Sequence, residues 1–143
     1  MIALLDVNVL VALAWPNHVH HESASQWFLD HRTRGWATAP LTEAGFVRVS
    51  SNRRVIPEAR SPKEAIDLLG ALRDQPDHHF WSDDVSLADC PEIAPELITG
   101  FRQVTDAHLL ALAMRRSGCL VTFDNGLKDL GSRAAGEVEL LRM

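Results

Sequence analysis

The sequence predicts an α/β fold in which a mostly parallel sheet of about four to five strands is covered by helices on both faces. Two observations predict it. Short β-like runs alternate with helical patterns along the whole chain, and several of these runs are apolar at successive positions, as in strands buried on both faces. Strands separated by helices imply right-handed crossovers, which make the strands of such a sheet parallel.

The predicted elements follow one another without a linker or an internal repeat. The strand candidates are residues 2–5, 36–39, 78–81, 119–123 and 138–141. The helix candidates are residues 7–15, 18–32, 40–51, a helix that follows the SPKE capping box at 61–64, and 106–117 with Thr105 as its cap. Prolines make residues 86–99 either helical or irregular, and residues 131–136 indicate a turn region before the last strand.

Length and composition indicate a single domain over residues 1–143. The net charge of −5 and the sequence pI of about 5.7 argue against nucleic-acid binding by bulk charge, but they leave room for a local basic patch. Cys90 and Cys119 lack metal-type spacing and lie in apolar surroundings, so we expect buried thiols in a reducing cytoplasm. We also expect neither a signal peptide nor a membrane span.

Four isolated carboxylates stand where an apolar segment meets a turn or a helix start. Asp6 and Asp124 each end a strand candidate, whereas Glu43 and Asp106 lie at helix starts. The carboxyl ends of parallel strands meet at one edge of the sheet, where helices can also begin, so the four acids can converge. Carboxylates beside apolar residues are costly unless something pairs with them, and one divalent cation could pair with all four. The pattern indicates metal-assisted phosphodiester chemistry.

Each acid also has an ordinary structural interpretation. Asp106 and Glu43 suit the first turn of a helix, and Asp124 suits a strand-ending turn. Asp6, in an otherwise apolar stretch, is the hardest to explain without a site. Other enzymes with strand-end aspartates fit less well. A haloacid-dehalogenase phosphatase needs a second aspartate where Asn8 stands, and the early acidic pair of a receiver domain, the glycine-rich nucleotide loops and the GxSxG motif do not occur.

The four acids fall within motifs that occur in series. The motifs are IALLDVNVL (2–10), LTE (41–43), VTDAHLLALA (104–113) and LVTFD (120–124). In order and spacing they resemble the PIN-domain ribonucleases, and among these the VapC toxins of bacterial toxin–antitoxin pairs. The resemblance covers essentially the whole chain. It implies a three-layer α/β/α sandwich, an Mg²⁺ or Mn²⁺ cofactor and endonucleolytic cleavage of RNA, with tRNA and rRNA as candidate targets. It further implies inhibition of translation and growth, a homodimer, and neutralisation by a cognate antitoxin.

The resemblance assigns the catalytic and metal-binding roles to the acids of these motifs. The acids are Asp6, Glu43, Asp106 and Asp124. We expect Asp6 and Asp106 to be the direct ligands. Glu43 and Asp124 would act through water or a second ion, with Glu43 also the candidate base. Asn8 and Thr105 are candidates for orienting the ligands from behind. Many PIN domains carry a further acid shortly after the last motif, but Asn125 follows here, which leaves a second metal open.

Basic and aromatic side chains are the candidates for RNA contacts. A basic rim that tracks phosphates is expected just beyond Glu43. Its members are Arg48, Arg53 and Arg54. The four tryptophans could stack on bases, but burial in the core is the better prediction for most of them. A histidine cluster indicates an exposed helix start, with a metal site or a partner surface as alternatives. The cluster consists of His18, His20 and His21.

Two other classes of function stay open. The chain could be a catalytically inactive PIN-like binding module, or a small metal-dependent phosphatase or DNA nuclease. Retention of all four acids argues against the inactive module. The small size and the lack of a helical-arch insertion argue against a nuclease for structured DNA.

Overall fold

The sheet of this protein contains five parallel strands. In a computed structural model that describes residues 1–142, they are β1 (Ala3–Leu5), β2 (Trp36–Thr38), β3 (His78–Phe80), β4 (Cys119–Thr122) and β5 (Val138–Leu140). Their order is β3-β2-β1-β4-β5, so β1 is central and the direction of the crossovers changes there. The predicted α/β class and parallel sheet are confirmed, and each strand differs from its prediction by one residue at one end.

Over residues 1–142, six α-helices cover the two faces of the sheet. They are α1 (Val7–Ala14), α2 (His21–His31), α3 (Pro40–Ser50), α4 (Pro62–Arg73), α5 (Val104–Arg115) and α6 (Asn125–Ala134). Ala3 and Leu5 pack in one core with α1 to α4, whereas Leu4 packs in a second core with α5 and α6. Because successive strand residues point to opposite faces, the sheet separates two cores in a three-layer α/β/α sandwich. None of the helices within the described residues combines the length and apolar character needed to cross a bilayer.

The tryptophans and one cysteine belong to these cores. Trp15, Trp27, Trp36 and Trp81 are all at most 8% exposed, which confirms the predicted burial and leaves none of them free as a stacking surface. Cys119 is buried as expected, whereas Cys90 is only half-buried, and both thiols are free.

The structure corrects one predicted boundary, decides one open alternative and shows the predicted capping box. Helix α2 begins at His21 rather than at residue 18. Residues 86–99 are irregular apart from a short 3-10 helix over Pro95–Leu97. The capping box before α4 is present, since Ser61 accepts a hydrogen bond from the Glu64 amide at 3.2 Å.

Helix α5 begins two residues earlier than predicted, and this changes the role of Thr105. The first helical residue is Val104, and Gln103 occupies the N-cap position. The prediction that Thr105 caps the helix is therefore wrong. The reason is the 3-10 helix Phe101–Gln103, which leads directly into the α-helix and moves its start upstream.

Helix α6 covers residues 131–134, where the sequence predicts a turn, and that prediction is wrong. The sequence did not predict this helix because α6 contains Gly126 and Gly131, and glycine is a poor helix former. Burial of Leu127 and Leu130 stabilises the helix instead. Gly131 is needed for packing, since a Cβ atom there would lie 2.5 Å from Cγ2 of Val138 in β5.

Replacing Gly131 with alanine should therefore destabilise the fold by about 1–3 kcal/mol, the usual cost of overpacking. Gly70→Ala in α4 is the matched control, because a Cβ atom there meets nothing within 4 Å. The control should raise the free energy of unfolding by about 0.5–1 kcal/mol, since alanine loses less backbone entropy on folding. Denaturant unfolding measures both variants. Equal effects at the two positions would contradict the close contact between α6 and β5.

Candidate active site

Asp6 and Asp124 follow adjacent strands and lie at the carboxyl edge of the sheet. Asp6 follows β1 and caps α1, and Asp124 follows β4 and caps α6. Helix α5 leads back to the start of β4, so its first turn, with Asp106, lies at the same edge. The crossovers change direction at β1, and such switch points are where open α/β sheets bind ligands.

Asp6 is held tightly by hydrogen bonds. The side chain belongs to a residue only 8% exposed. Its Oδ1 accepts from the Val7 amide at 2.7 Å, and its Oδ2 accepts from the Thr122 hydroxyl at 2.7 Å. Burial raises the pKa of Asp6 and the charge of Asp124 adds to the rise, although the two hydrogen bonds oppose it. Asp6 is therefore a rigid carboxylate whose negative charge is poorly compensated.

Asp106 is half-buried in the first turn of α5, and its pKa is also raised. Burial raises its pKa to about 6, with further contributions from the charges of Asp6 and Asp124. These mutual effects show that the structure brings three of the four predicted acids into one electrostatic group. Within residues 1–142, no Lys or Arg forms an ion pair with any of the three.

Asp6, Asp106 and Asp124 have no side-chain counter-charge among the described residues, and a bound cation could supply one. Its donors are carboxylate oxygens, which Mg²⁺ and Mn²⁺ prefer. Across residues 1–142, no three His, Cys, Asp or Glu side chains form a ready-made metal cage. Carboxylates without a counter-charge repel one another, so we expect their side chains to be held apart. An ion shared partly through water would relieve that repulsion, and the residues present fit it.

Thr122 forms hydrogen bonds with Asp6, Asp124 and Asn8, and the sequence pattern did not single it out. It is fully buried at the end of β4. Its hydroxyl oxygen also accepts from the Asp124 amide at 3.0 Å and from the Asn8 side-chain amide at 3.3 Å. Asn8 thus reaches Asp6 through Thr122, and its orienting role stays a prediction. A hydroxyl residue inside the LVTFD motif, two residues before Asp124, was the available signal.

Thr122→Val should lower activity about 10–100-fold, the usual cost of losing a group that orients a ligand. The variant keeps the side-chain volume but removes the donor to Asp6 and the acceptor for the Asp124 amide. Thr122→Ser keeps the hydroxyl and should retain most activity. Initial rates of cleavage of an RNA substrate, the activity that the motif resemblance implies, measure both, with folding checked by circular dichroism. A valine variant as active as the serine variant would contradict the orienting role.

Glu43 is not among the acids whose charges raise the pKa of Asp6 or Asp106. It is in the first turn of α3, after β2, and its side chain is 14% exposed. Its Oε2 accepts from the Thr38 hydroxyl at 2.6 Å, and its Oε1 lies 3.5 Å from Nη1 of Arg73. The structure thus places Glu43 at the same edge of the sheet but gives its charge a partner, which the sequence did not predict.

Among the described residues, the arginines of the predicted basic rim and Thr105 form no ion pair or hydrogen bond with Asp6, Asp106 or Asp124. All three arginines of the rim are exposed, but α3 runs about 16 Å from the edge that holds Glu43, and Arg53 and Arg54 lie beyond its far end. Their contact with RNA stays a prediction. Thr105 is exposed, and among the described residues its hydroxyl makes no hydrogen bond.

The histidine cluster packs against the acidic edge without forming a metal site. The His20 ring stacks on Phe123, the neighbour of Asp124, with ring centroids 4.5 Å apart. His18 Nδ1 accepts from the His20 amide at 3.0 Å, and His21 Nδ1 lies 2.7 Å from the Ala12 carbonyl. The His18 ring is therefore bonded to the backbone just before α2, and the His21 ring lies against the backbone of α1. All three histidines are half-buried, so this helix start is less exposed than predicted.

Asp106→Asn should stabilise the metal-free protein at neutral pH and lose that advantage in acid. The folded-state pKa of Asp106, about 6, is above its ordinary value of 3.8, so folding favours the protonated form. The contribution of protonated Asp106 to the free energy of unfolding is complete below about pH 4 and is lost as the pH rises through about 6. Melting temperatures of both proteins in EDTA, from about pH 4 to 8, measure the difference. A difference that does not change with pH would contradict the raised pKa.

The sequence profile of the PIN domain family matches residues 3–132. This chain belongs to the PIN domain family. The chain is 52% identical over 141 residues to Ribonuclease VapC39 of Mycobacterium tuberculosis, covering 99% of this chain and 100% of that protein. It is 56% identical over 140 residues to Ribonuclease VapC38 of the same species, covering 97% of each. The predicted resemblance to VapC proteins is confirmed.

Solved structures agree with the PIN fold. The VapBC2 complex of Rickettsia felis bound to a promoter DNA fragment contains a chain with a TM-score of 0.69 at 16% identity, covering 99% of this chain and 100% of that one. VapC20 of Mycobacterium tuberculosis, described as a toxin that cleaves the sarcin–ricin loop, has a TM-score of 0.61 at 12% identity, covering 90% and 95%. At these identities the likeness supports the fold alone.

Proposed function

We propose that this protein is a divalent-metal-dependent endoribonuclease that acts as the toxin of a toxin–antitoxin pair. The observation that carries the proposal is the group of three carboxylates at the switch point of a parallel sheet, for which the described residues provide no Lys or Arg ion-pair partner. The relatives named as VapC ribonucleases support RNA as the substrate. The predicted cofactor, Mg²⁺ or Mn²⁺, suits the oxygen donors.

The proposed roles follow from the contacts of each acid. Asp6 and Asp106 would hold the ion directly, with Asp124 contributing through water. When bound, a divalent ion lowers the pKa of water and offsets charge at the scissile phosphate. Thr122 holds Asp6 in one orientation through its hydroxyl. Glu43, whose Oε2 is anchored by Thr38, would accept the proton of the attacking water.

The proposed partners are RNA, a cognate antitoxin and a second copy of this chain. The similar Rickettsia felis chain was solved as part of a VapBC complex, which supports an antitoxin partner for this chain as well. The candidate targets are tRNA and rRNA, whose cleavage would inhibit translation and growth in the cytoplasm. Arg48, Arg53 and Arg54 are the proposed phosphate contacts, and a homodimer is the proposed assembly.

Purified protein incubated with total cellular RNA in Mg²⁺, Mn²⁺ or EDTA tests the activity. Discrete cleavage with either metal and none in EDTA is expected, and sequencing of the new ends identifies the target. Single-stranded DNA and a phosphomonoester in parallel reactions separate an RNase from a DNA nuclease or a phosphatase. No cleavage of any substrate with either metal would favour an inactive binding module and reject the proposal.

A test of the toxin role uses controlled expression in a bacterial host. Brief induction should arrest growth and yield the same RNA ends as the purified protein. Co-expression of a short neighbouring reading frame with a DNA-binding N-terminus should restore growth. Growth arrest with intact RNA would contradict a toxin that acts through RNA cleavage.

A further inference from the structure

A continuous chain of polar contacts leads from the edge strand β3 to Glu43. Thr38 is the last residue of β2 and is fully buried, and His78 is the first residue of β3. The Thr38 hydroxyl oxygen lies 2.6 Å from Oε2 of Glu43 and 2.7 Å from Nε2 of His78. Both distances are within hydrogen-bond range, so one hydroxyl joins the two side chains.

The number of protons fixes the direction of these hydrogen bonds. The Thr38 hydroxyl carries one proton, and an ionised Glu43 has none to offer, so the hydroxyl must donate to Glu43. Nε2 of His78 must then carry a proton and donate to the Thr38 oxygen. Burial and the positive charge of Arg73 lower the pKa of His78, which favours a neutral ring. The contact with Thr38 assigns the proton of that ring to Nε2.

The second oxygen of Glu43 is also restrained. Nη1 of Arg73 lies 3.5 Å from Oε1, and the Arg73 guanidinium lies 5.0 Å from the centre of the Phe80 ring. A glutamate has three side-chain torsions, and contacts at both oxygens remove most of that freedom. The partners come from β2, β3 and α4, so the position of Glu43 depends on three separate elements.

We propose that His78, acting through the hydroxyl of Thr38, is a positioning residue that holds the Glu43 carboxylate in its productive orientation. This inference rests on the proposed ribonuclease function, in which Glu43 receives the proton of the attacking water. His78 itself touches neither the three repelling acids nor the reacting atoms. Its effect is to keep the Thr38 proton directed at Glu43.

Steady-state cleavage of an RNA oligonucleotide tests the proposal. His78→Ala should lower kcat about tenfold with little change in KM, because the group orients a ligand rather than binding substrate. His78→Gln retains a side-chain N–H donor and should restore most of kcat. His79→Ala is the matched control, since His79 is the exposed neighbour on the same strand. Equal kcat in the two alanine variants, or a change in KM alone, would overturn the proposal.

A double-mutant cycle tests whether His78 acts through Thr38. Thr38→Val should lower kcat at least as much as His78→Ala, and the double variant should be no slower than Thr38→Val alone. Thr38→Ser should behave like the wild type. Additive losses in the double variant would show that the two residues act independently and would overturn the chain of contacts.

A measurement without RNA separates this inference from the proposed function. Long-range ¹H–¹⁵N NMR of the imidazoles should show His78 as the Nε2–H tautomer in the wild type, and Thr38→Val should reduce that preference. An Nδ1–H tautomer in the wild type would require Thr38 to donate to His78, and the proposal would fail. A wild type that cleaves no RNA but keeps the Nε2–H tautomer would reject the proposed function and leave the contact chain in place.

Discussion

Asp6→Asn should reduce RNA cleavage by roughly three orders of magnitude, because a metal ion supplies several kcal/mol of transition-state stabilisation and each ~1.4 kcal/mol is a factor of ten. The amide has the shape of the carboxylate and can still accept from the Val7 amide, so the fold should persist. It removes the charge from the most buried of the three repelling acids. Single-turnover cleavage rates in Mn²⁺ measure the loss.

Asp129→Asn is the control for this charge change. Asp129 is exposed on α6, and no ion pair holds it among the described residues. The control variant has the same net charge as Asp6→Asn and should cleave RNA at the wild-type rate. An Asp6→Asn protein that retains metal-dependent cleavage would refute the proposed mechanism.

Saturating Mn²⁺ should raise the melting temperature of the wild-type protein by roughly 6–10 °C. A ligand at about 100 times its Kd adds about 2.7 kcal/mol to the free energy of unfolding. For a domain of this size, each kcal/mol corresponds to about 2–4 °C. The physical reason is that the cation offsets the burial of charge and the mutual repulsion that together raise the pKa of Asp6 and Asp106. Thermal unfolding with Mn²⁺ and with EDTA measures the shift.

The same experiment on Asp106→Asn separates a site effect from a general ion effect. The variant lacks one proposed ligand, so its melting temperature should respond to Mn²⁺ by less than half as much as the wild type. Asp129→Asn should respond like the wild type. An equal shift in all three proteins would place the bound ion elsewhere and contradict the proposed site.

The strands, most helices and the identity of the edge acids could be predicted from the sequence. Strand candidates were recognisable because their apolar runs are short and bounded by helices, a local property of the chain. Asp6 and Asp124 follow directly from that pattern, since each ends a strand. Helix α6 and the start of α5 could not be predicted. For α6 the reason is that local propensity disfavours glycine, and tertiary packing against β5 overrides it.

The contacts that make these acids a site could not be read from the chain. Thr122 and Asp6 are 116 residues apart in sequence, and they meet only because β4 lies beside β1. Glu43 acquires Arg73 as a direct partner because α4 packs against α3, and His78 as an indirect partner because β3 lies beside β2.

The sequence by itself determined which side chains stand at strand ends and helix starts, because residue spacing and local apolarity encode those positions. Only the tertiary structure decided that Asp6, Asp106 and Asp124 repel one another while Glu43 is paired. Such charge relations depend on distances across the order of strands in the sheet, and local spacing along the chain carries no information about that order.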